Sequence, residues 1–411
     1  MEVHIKGPEY IIDLYKLGIP YKGPFIGINY IYDSRMPVAV LVPVEGHEEE
    51  IVHELTLQKY NTLSTRRFIL TESIYKSNHG LVESINVYES YINDGIKGYK
   101  NEILFRKVPT NGNSLGCEAF FQYAARSILE EYGLEHMISR VHDIYRDPRI
   151  GNAVVFTMEP FFDIELLSNV LKENDLQIED IISIIAQVAV VLCILCNRLD
   201  MNHRDMKTTN ILLCRCNDGI AMKDIDIGNT SKITIKGKYC IKIVDFGFAC
   251  SGTGRQTLIN ATTFFPMSDP CPKTGRDIFQ LLTTMYLCTR FRDTICMKEP
   301  FGTLFKKWLT VPGNDYLAFL RTLGEDSLDW VYLLLGSDKF RAPFCSPNSI
   351  LTDLNIAFPS VVNVSKAATN GSVQDAPVTI SKAATNGSIQ DAPVTIAGTA
   401  TLIKGVLDAP C

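Results

Sequence analysis

The feature that most constrains the fold is a continuous apolar stretch at residues 181–196, IISIIAQVAVVLCILC. A helix needs about 20 apolar residues to cross a bilayer, and this stretch is shorter and is interrupted by Ser183 and Gln187. A helix that is apolar all round is typical of the centre of a large folded domain. We therefore predict a buried core helix here and no membrane span.

Two cysteines of this stretch, Cys193 and Cys196, form a C-x-x-C pair. A zinc site built on such a pair needs further ligands, and no second cysteine pair at ligand spacing accompanies it. Cysteine inside an apolar helix behaves as a small hydrophobic residue. The pair is therefore interpreted as core packing.

The length of the chain indicates how many domains it forms, and its net charge indicates which partners to expect. At about 150 residues per domain, 411 residues predict two or three domains, each large enough for its own core. Lys and Arg number 40 against 46 Asp and Glu, and the net charge of −6 provides no general field that attracts a polyanion. Nucleic acid is therefore not expected as a partner.

The 12 cysteines do not by themselves predict disulfides. Disulfide frameworks are typical of short secreted chains, whereas residues 1–20 here carry charged side chains where a secretory signal would be apolar. We expect a reducing, intracellular compartment.

The C-terminal end contains a repeat with a period of sixteen residues. Residues 364–379 (VSKAATNGSVQDAPVT) are followed by residues 380–395 (ISKAATNGSIQDAPVT), and a degenerate third copy continues to Cys411. The unit has no aromatic residue and only isolated Val or Ile side chains, which bury too little surface to offset the entropy of ordering. We predict a flexible tail at residues 359–411, and a short β-solenoid is the alternative.

Apolar patterning divides the rest of the chain into a mixed part and a mainly helical part. In residues 1–75, apolar residues alternate at 37–44, and an acidic cluster leads into a predicted helix at 51–60. No chemical motif lies there. The other predicted elements are strands at 84–91, 102–108, 141–145 and 153–158, a helix at 116–132, and mainly helices at 161–358 with strands at 211–244.

Two polar motifs follow apolar segments in the second half of the chain. The first is HRDMKTTN at residues 203–210, directly after the long apolar helix, and the second is DFG at residues 245–247, after an apolar strand. In this order the sequence resembles the eukaryotic protein kinase superfamily, whose catalytic loop is H-R-D-x-K-x-x-N and whose metal-binding motif is D-F-G. The resemblance extends over residues 76–358.

The resemblance implies a role for four residues of these motifs. Phosphoryl transfer requires an oriented nucleophile, neutralised phosphate charge and divalent cations held by hard oxygen ligands. Asp205 would accept or orient the proton of the acceptor hydroxyl, and Lys207 would offset charge that develops on the phosphoryl group. Asn210 and Asp245 would hold Mg²⁺. A lysine at the position of Lys207 is typical of Ser/Thr kinases, which implies a Ser or Thr acceptor.

Two further segments extend the resemblance. Residues 154–161 (VVFTMEPF) resemble the strand and hinge that bind adenine, with Met158 at the gatekeeper position and backbone groups of Glu159 and Phe161 offered to the base. The helix that begins near residues 275–277 (GRD) resembles the family's central helix, whose leading Asp277 would bind the backbone of the catalytic loop. The helix dipole alone also favours an acidic residue there.

The mixed part departs from the family pattern at the phosphate-binding loop. When Val87 is aligned with the valine that follows G-x-G-x-x-G, Gly80 is the one glycine, and Val82 and Ile85 stand at the other two positions. Side chains there would keep the loop backbone farther from the phosphates. Gly80 and Val87 are the candidate nucleotide contacts of this segment.

The expected lysine and glutamate pair is ambiguous in the sequence. Lys107 is the best match for the strand lysine that contacts the phosphates, with Arg106 and Lys100 as rivals. The best-aligned positions of the following helix hold Ala and Arg, and the nearest glutamates are Glu118 and Glu130. The partner of the lysine is therefore left open.

Two departures follow the catalytic loop. Residues 265–267 (FPM) occupy the place of A-P-E without its glutamate. Residues 214–240 are longer than the family has there, and their Asp, Gly and Lys content predicts an exposed hairpin insertion outside the chemistry. The segment between Asp245 and Asp277 is long and rich in threonine, which suits docking of a peptide and phosphorylation.

The resemblance implies an α+β, bilobal, protein-kinase-like fold. The expected parts are an N-terminal extension of unknown role at 1–75, a small β-rich N-lobe at 76–160, a larger helical C-lobe at 161–358 and the tail at 359–411. Divergent N-lobes of this kind resemble the kinase-like proteins of large DNA viruses, which would place the chain in the host cytoplasm or the virion.

The expected activity is transfer of the γ-phosphoryl group of ATP, with Mg²⁺, to Ser or Thr hydroxyls of a protein substrate. One alternative is a catalytically weak pseudokinase that acts as a binding or scaffold module. Another is a kinase that acts on a small molecule. Retention of Asp205, Lys207, Asn210 and Asp245 favours the active enzyme over the scaffold.

Overall fold

The structure is a computed structural model of the 411-residue chain, and it describes most of residues 42–366. The described part is mixed α+β, with a β-rich N-terminal region followed by a helical region. Outside it lie residues 1–41, 44–51, 60–61, 77–79, 94–95, 111–114, 148–152, 174–175, 217, 227–230, 252–257, 260–272, 314, 323–330, 332–334, 336–341 and 367–411.

The N-terminal region is built on one sheet with the strand order β1-β2-β3-β4-β5-β7-β6. All neighbouring strands in this sheet pair antiparallel. The strands predicted at 84–91, 102–108, 141–145 and 153–158 are confirmed. The strands are β1 (Val42–Pro43), β2 (Val52–Lys59), β3 (Thr62–Lys76), β4 (Gly80–Asn93), β5 (Ile96–Pro109), β6 (Val141–Asp147) and β7 (Ala153–Met158).

The helix predicted at residues 51–60 is wrong, because this segment forms β2. It pairs with β3 from Val52 opposite Ile69 to Lys59 opposite Thr62. The acidic cluster suits a helix start, but pairing with β3 runs along the whole of β2 and overrides that local preference. β3 also runs across residue 75, so the sheet is continuous over the boundary expected between the extension and the N-lobe.

The helix predicted at 116–132 is confirmed as α1 (Gly116–Glu130). The N–H of Leu115 donates to the carbonyl of Val154 at 3.0 Å, which ties the start of α1 to β7. Phe121 and Ile128 are buried on its inner side, while Glu130 is exposed. This amphipathic pattern packs α1 into the core and leaves its polar side in water.

The predicted core helix is confirmed as α3 (Ile178–Leu199), and 89% of the residues in its apolar 18-residue stretch are buried. Of the described helices it alone is long and apolar enough to cross a membrane, and its burial agrees with the prediction of no membrane span. Cys193 is buried within it, as core packing requires. The helices of this region are α2 (Leu167–Val170), α3 (Ile178–Leu199), α4 (Arg276–Leu287), α5 (Thr289–Thr294), α6 (Phe301–Trp308), α7 (Tyr316–Thr322) and α8 (Pro347–Ala357).

Short strands carry the two polar motifs and an insertion between them. They form three-stranded sheets with the orders β13-β10-β8, β15-β14-β9 and β11-β12-β16. The strands are β8 (Glu165–Leu166), β9 (Met201–Asn202), β10 (Ile211–Arg215), β11 (Ile220–Asp226), β12 (Ser231–Lys236), β13 (Tyr239–Ile243), β14 (Cys250–Ser251), β15 (Leu258–Ile259) and β16 (Val362–Lys366).

The hairpin predicted within residues 214–240 is confirmed as β11 and β12, but its predicted exposure holds for only one of its faces. Met222 and Ile233 are buried and belong to the main hydrophobic core. A disulfide between Cys216 and Cys240, which the cysteine analysis does not anticipate, closes the base of the insertion. The compartment of the protein stays a prediction.

The third strand of this sheet, β16, lies inside the segment predicted as a flexible tail. Val361 and Val362 are buried, so residues 361–366 belong to the fold. The remaining repeats, residues 367–411, lie outside the described residues.

Candidate active site

The loop that follows α3 is held by one carboxylate at the start of α4. Asp277 accepts the backbone N–H of His203 on Oδ2 and that of Arg204 on Oδ1, both at 2.8 Å. The amide of Asn202 donates a third hydrogen bond to it at 3.2 Å. Arg204 has φ 65°, a left-handed conformation that needs such support in a non-glycine residue. The predicted contact of Asp277 with the loop backbone is confirmed.

Two further side chains of α4 hold the same loop, and the sequence analysis missed them. Gln280 Oε1 accepts the N–H of Met206 at 3.2 Å, and Thr284 Oγ1 accepts that of Thr208 at 3.3 Å. With Asp277 they are spaced i, i+3 and i+7, so they lie on one face of the helix. The sequence signal that could have identified Gln280 and Thr284 is the spacing of these polar residues along one face of an otherwise apolar helix.

Asp205, Lys207 and Asn210 form one hydrogen-bonded cluster in this loop. Nζ of Lys207 lies 2.8 Å from Oδ2 of Asp205, and Nδ2 of Asn210 donates to the same oxygen at 2.9 Å and to the Asp205 carbonyl at 2.8 Å. Asp205 is only 1% exposed. Since the amide nitrogen of Asn210 is used on Asp205, its amide oxygen is the atom that can act as a metal ligand.

Lys107 on β5 bridges two carboxylates from distant parts of the chain. Its Nζ lies 2.5 Å from Oε1 of Glu118 on α1 and 2.9 Å from Oδ1 of Asp245. Arg106, one of the rivals for this role, instead lies 3.6 Å from Glu83. Of these two basic residues, Lys107 is therefore the one that pairs with a glutamate of the following helix, and that glutamate is Glu118.

Burial and ion pairing set the charges of this cluster. Burial opposes the charge of Lys107, but the carboxylates of Asp245 and Glu118 outweigh burial and raise the pKa of the lysine. Burial raises the pKa of Glu118 to about 7 against the attraction of Lys107.

The pKa of Asp245, the third member of the cluster, is lowered, whereas the pKa of Glu118 is raised. Burial would raise its pKa, yet Lys107 lowers the pKa of Asp245 to about 2. The side chain is 41% exposed, so the lysine is the dominant cause. At neutral pH, Lys107 is therefore a cation and Asp245 an anion, while Glu118 is the carboxyl group of the cluster that titrates.

Asp245 is connected to the Asp205 cluster through the backbone. The N–H of Val244 donates to the carbonyl of Asn210 at 3.1 Å, and the Val244 carbonyl lies 3.1 Å from Nε2 of His203. The rings of His203 and Phe246 are in contact, with centroids 4.7 Å apart. Asp245 has φ 68°, a conformation that Asp tolerates better than most residues. The two motifs found in the sequence are therefore brought together.

Two glycines allow the backbone to approach this cluster closely. A Cβ on Gly80 would lie 3.1 Å from Cε of Lys107. A Cβ on Gly247 would lie 3.2 Å from Oδ1 of Asp245 and 3.4 Å from Oε2 of Glu118. A larger residue at either position would crowd the ion pairs. Gly80, a predicted nucleotide contact, thus lies beside Lys107.

Val82 and Ile85, which the alignment places at the other two glycine positions of a phosphate-binding loop, lie within the regular strand β4. Val82 is opposite Lys107, and Val87 is opposite Glu102. Five residues of strand separate them, about 17 Å, and the odd separation places Val87 on the other face of the sheet. Val87 is fully buried in the core, and the structure does not bring it to the site. Residues 77–79 lie outside the described part of the chain.

The segment predicted to bind adenine begins at the end of β7. The N–H of Glu159 donates to the Arg140 carbonyl at 2.8 Å, and Ser139 Oγ donates to the Glu159 carbonyl, which can accept a second hydrogen bond. The ring of Phe161 lies 5.2 Å from Nζ of Lys242. The contacts of Glu159 and Phe161 with a nucleotide stay predictions. Residues 252–257 and 260–272, with FPM at 265–267, are outside the described part.

The site combines two ammonium groups with two hard oxygen donors. Lys107 and Lys207 suit phosphate oxygens, while Asn210 and Asp245 suit Mg²⁺. Within the described residues no group of three or more His, Cys, Asp or Glu could hold a metal ion alone. A divalent cation here would complete its coordination with phosphate oxygens and water, as Mg²⁺ commonly does.

Comparison with known proteins adds no relative. The sequence matches no protein-family model, and no curated protein matches it.

Proposed function

We propose that the chain is a Ser/Thr protein kinase that transfers the γ-phosphoryl group of ATP to protein hydroxyls with Mg²⁺. The observation that carries this proposal is the position of Lys107, whose ammonium group bridges Glu118 and Asp245. Kinases position phosphates with a strand lysine paired to a helix glutamate beside a metal-binding aspartate. In the same proposal the sheet and α1 form the small lobe, and the helical region forms the large lobe.

Each residue of the site has a task in this reaction. Lys107, held by Glu118, binds phosphate oxygens, and Asn210 and Asp245 would hold Mg²⁺ through an amide and a carboxylate oxygen. Bound Mg²⁺ neutralises charge on the phosphates and polarises them. The donor set fits this ion, since both ligands are hard oxygens next to a lysine that binds the same phosphates.

The acceptor side of the reaction belongs to the Asp205 cluster. Asp205 orients the acceptor hydroxyl and takes its proton, while Asn210 holds the carboxylate in place. Lys207, 2.8 Å from Asp205, is close enough to offset charge on the transferred group. Its position two residues after Asp205 supports a Ser or Thr acceptor. The net charge of −6 supports a protein substrate over a nucleic acid.

The test is transfer of labelled phosphate from ATP, with Mg²⁺, to a generic acceptor protein and to the chain itself. We expect Asp205→Ala and Asp245→Ala each to reduce labelling by about 100-fold or more, because they remove the proton acceptor and a metal ligand. Asp200→Asn is the matched control, since Asp200 is exposed in the same loop and Asn also adopts its left-handed conformation. Equal labelling by all four proteins would rule out the proposal.

A catalytically weak binding module is the second candidate. It is favoured by Val82 and Ile85, which replace loop glycines and lie in a regular strand. The same assay separates the two functions. Absence of labelling by the wild type, combined with an ATP-dependent rise of its melting temperature that Lys107→Met abolishes, would favour the binding module.

A further inference from the structure

The face of the sheet that carries Lys107 continues as an apolar surface. Side chains two positions apart on a strand share a face, so Phe105 and Ile103 of β5 lie on the same face as Lys107. Val82 on β4 joins this face, because it stands directly opposite Lys107. Ile103 is 50% exposed, while Phe105 and Val82 are half-buried. These three side chains, the Phe105 patch, offer apolar surface next to an ammonium group.

Phe105 stands between Lys107 and the segment expected to bind the base. It lies two residues, about 7 Å, from Lys107 along β5. Across the sheet it is opposite Met158, the last residue of β7, and residues 159–161 follow directly. Its opposite residue on β4 is Ser84, whose side chain is short. A nucleotide that binds Lys107 through its phosphates and extends toward residue 159 therefore passes beside the ring of Phe105.

The backbone of Glu159 gives little means of telling one base from another. Its N–H donates to the Arg140 carbonyl at 2.8 Å and is therefore not available to an acceptor atom of a base. Its carbonyl accepts the hydroxyl of the buried Ser139 and can accept one further hydrogen bond. A lone acceptor does not separate bases that each carry an N–H group on their pairing edge.

We propose that the base of the bound nucleotide stacks on Phe105, so that the site takes nucleoside triphosphates with little choice of base. The inference rests on the proposed function, because it requires phosphates at Lys107. The ammonium group of Lys107 complements the phosphates, and the apolar ring next to it complements the flat face of a base. Every base has such a face, so stacking on an aromatic side chain tolerates any of them.

The test measures equilibrium binding of ATP, GTP, CTP and UTP, each with Mg²⁺, and of inorganic tripolyphosphate by isothermal titration calorimetry. We expect the four nucleotides to have dissociation constants within about fivefold of one another. Phe105→Leu keeps an apolar side chain but removes the ring, so it should weaken all four about tenfold and leave tripolyphosphate unchanged. Phe344→Leu, which changes an exposed phenylalanine outside the site, is the matched control and should bind as wild type.

Phe105→Trp gives a direct readout of stacking that needs no turnover. A base stacked on the new indole should quench its fluorescence, and we expect this with each of the four nucleotides. Tripolyphosphate has no base and should leave the fluorescence unchanged. Phe344→Trp is the control for this measurement and should respond to none of the five compounds.

Three results would overturn the inference while the proposed function stands. The first is a preference of more than about tenfold for ATP, because hydrogen bonds to the base edge would then select it. The second is tighter binding of nucleotides by Phe105→Leu, since the ring would then fill the position of the base. The third is equal quenching of Phe105→Trp by ATP and tripolyphosphate. Absence of binding by every nucleotide and by tripolyphosphate would instead overturn the proposed function together with the inference.

Discussion

The charge of Lys107 organises the candidate site at the scale of single residues. One ammonium group lies between two carboxylates, and only one of these, Glu118, has a pKa near neutrality. Asp245 stays ionised at any working pH because Lys107 lowers its pKa to about 2. The orientation of the lysine therefore depends on the protonation of Glu118.

Replacement of Glu118 by glutamine should weaken nucleotide binding. The neutral amide in Glu118→Gln has no charge to hold the ammonium group of Lys107, which would then turn toward Asp245 and compete for the metal ligand. We expect the KM for ATP to rise about tenfold with a smaller change in kcat. Steady-state kinetics of Glu118→Gln and of the control Glu130→Gln, an exposed residue of the same helix, would measure this. Equal effects of the two substitutions would contradict it.

The pKa of Glu118 also predicts a pH dependence. As pH falls from 8 to 6 through its raised pKa of about 7, Glu118 takes up a proton and its ion pair with Lys107 is lost. The KM for ATP should therefore increase toward low pH in the wild type and in Glu130→Gln. It should stay nearly constant in Glu118→Gln after correction for titration of the nucleotide itself. A wild-type pH profile in Glu118→Gln would refute the assignment.

At the scale of elements, two helices hold irregular or edge backbone next to the site. α4 binds the backbone of the loop at residues 203–208 through Asp277, Gln280 and Thr284. α3 supports β13, the edge strand that leads to Asp245, through one buried side chain. Gln187 accepts the N–H of Ile241 at 3.1 Å and donates to the Tyr239 carbonyl at 2.8 Å. The side-chain amide of Gln187 thus makes hydrogen bonds to β13 that a neighbouring strand would otherwise make.

Gln187→Leu should destabilise the chain because it leaves two buried backbone groups of β13 without these hydrogen bonds. A buried polar group left without a partner costs about 1–3 kcal/mol. We expect a loss of at least that size in urea unfolding. Ser183→Ala removes only the contact of Gln187 with the Ser183 hydroxyl and should change stability far less. A Gln187→Leu protein as stable as the control would disprove the supporting role.

Asp277→Asn should loosen the loop at residues 203–208. Asparagine has one acceptor oxygen where Asp277 uses two, so the N–H of His203 or of Arg204 loses its partner. We expect about 1–3 kcal/mol lower stability in urea unfolding, together with reduced phosphoryl transfer. Asp200→Asn, at an exposed position, should stay within about 0.5 kcal/mol of the wild type. Wild-type stability of Asp277→Asn would show that the carboxylate is dispensable.

At the scale of the whole molecule, the site joins the two regions of the chain. Lys107 and Glu118 come from the sheet region, whereas Asp205, Asn210 and Asp245 come from the helical region. A ligand that contacts both sets would stabilise the folded chain in proportion to the logarithm of its concentration. The proposed function therefore has a consequence that requires no turnover.

Mg²⁺ with ATP should raise the melting temperature of the full chain by a few degrees. At about 100 times the dissociation constant, binding contributes about 2.7 kcal/mol. Lys107→Met should remove most of the shift, and Lys298→Met, which changes an exposed lysine outside the site, should retain it. Differential scanning fluorimetry with and without nucleotide measures both. An equal shift in the two variants would mean that the nucleotide binds elsewhere.

The sequence by itself determined the parts of this protein that depend on local pattern. The apolar run at 181–196 required a buried helix, and the strands at 102–108 and 153–158 follow from apolar residues bounded by polar ones. The order of HRDMKTTN and DFG identified Asp205, Lys207, Asn210 and Asp245 as candidates. These four residues could be recognised from the sequence because they lie within two short motifs, residues 203–210 and 245–247.

Only the tertiary structure decided the features that depend on contacts between distant residues. Glu118 lies eleven positions from Lys107 and could be recognised only when α1 packed against the sheet. Residues 51–60 have a helix-like pattern, but pairing with β3 makes this segment the strand β2. Residues at the start of the first repeat form β16 because they pair with β12. Backbone hydrogen bonds to distant residues, and burial against them, outweigh weak local preferences for helix or loop. The local sequence does not show which distant residues these partners are.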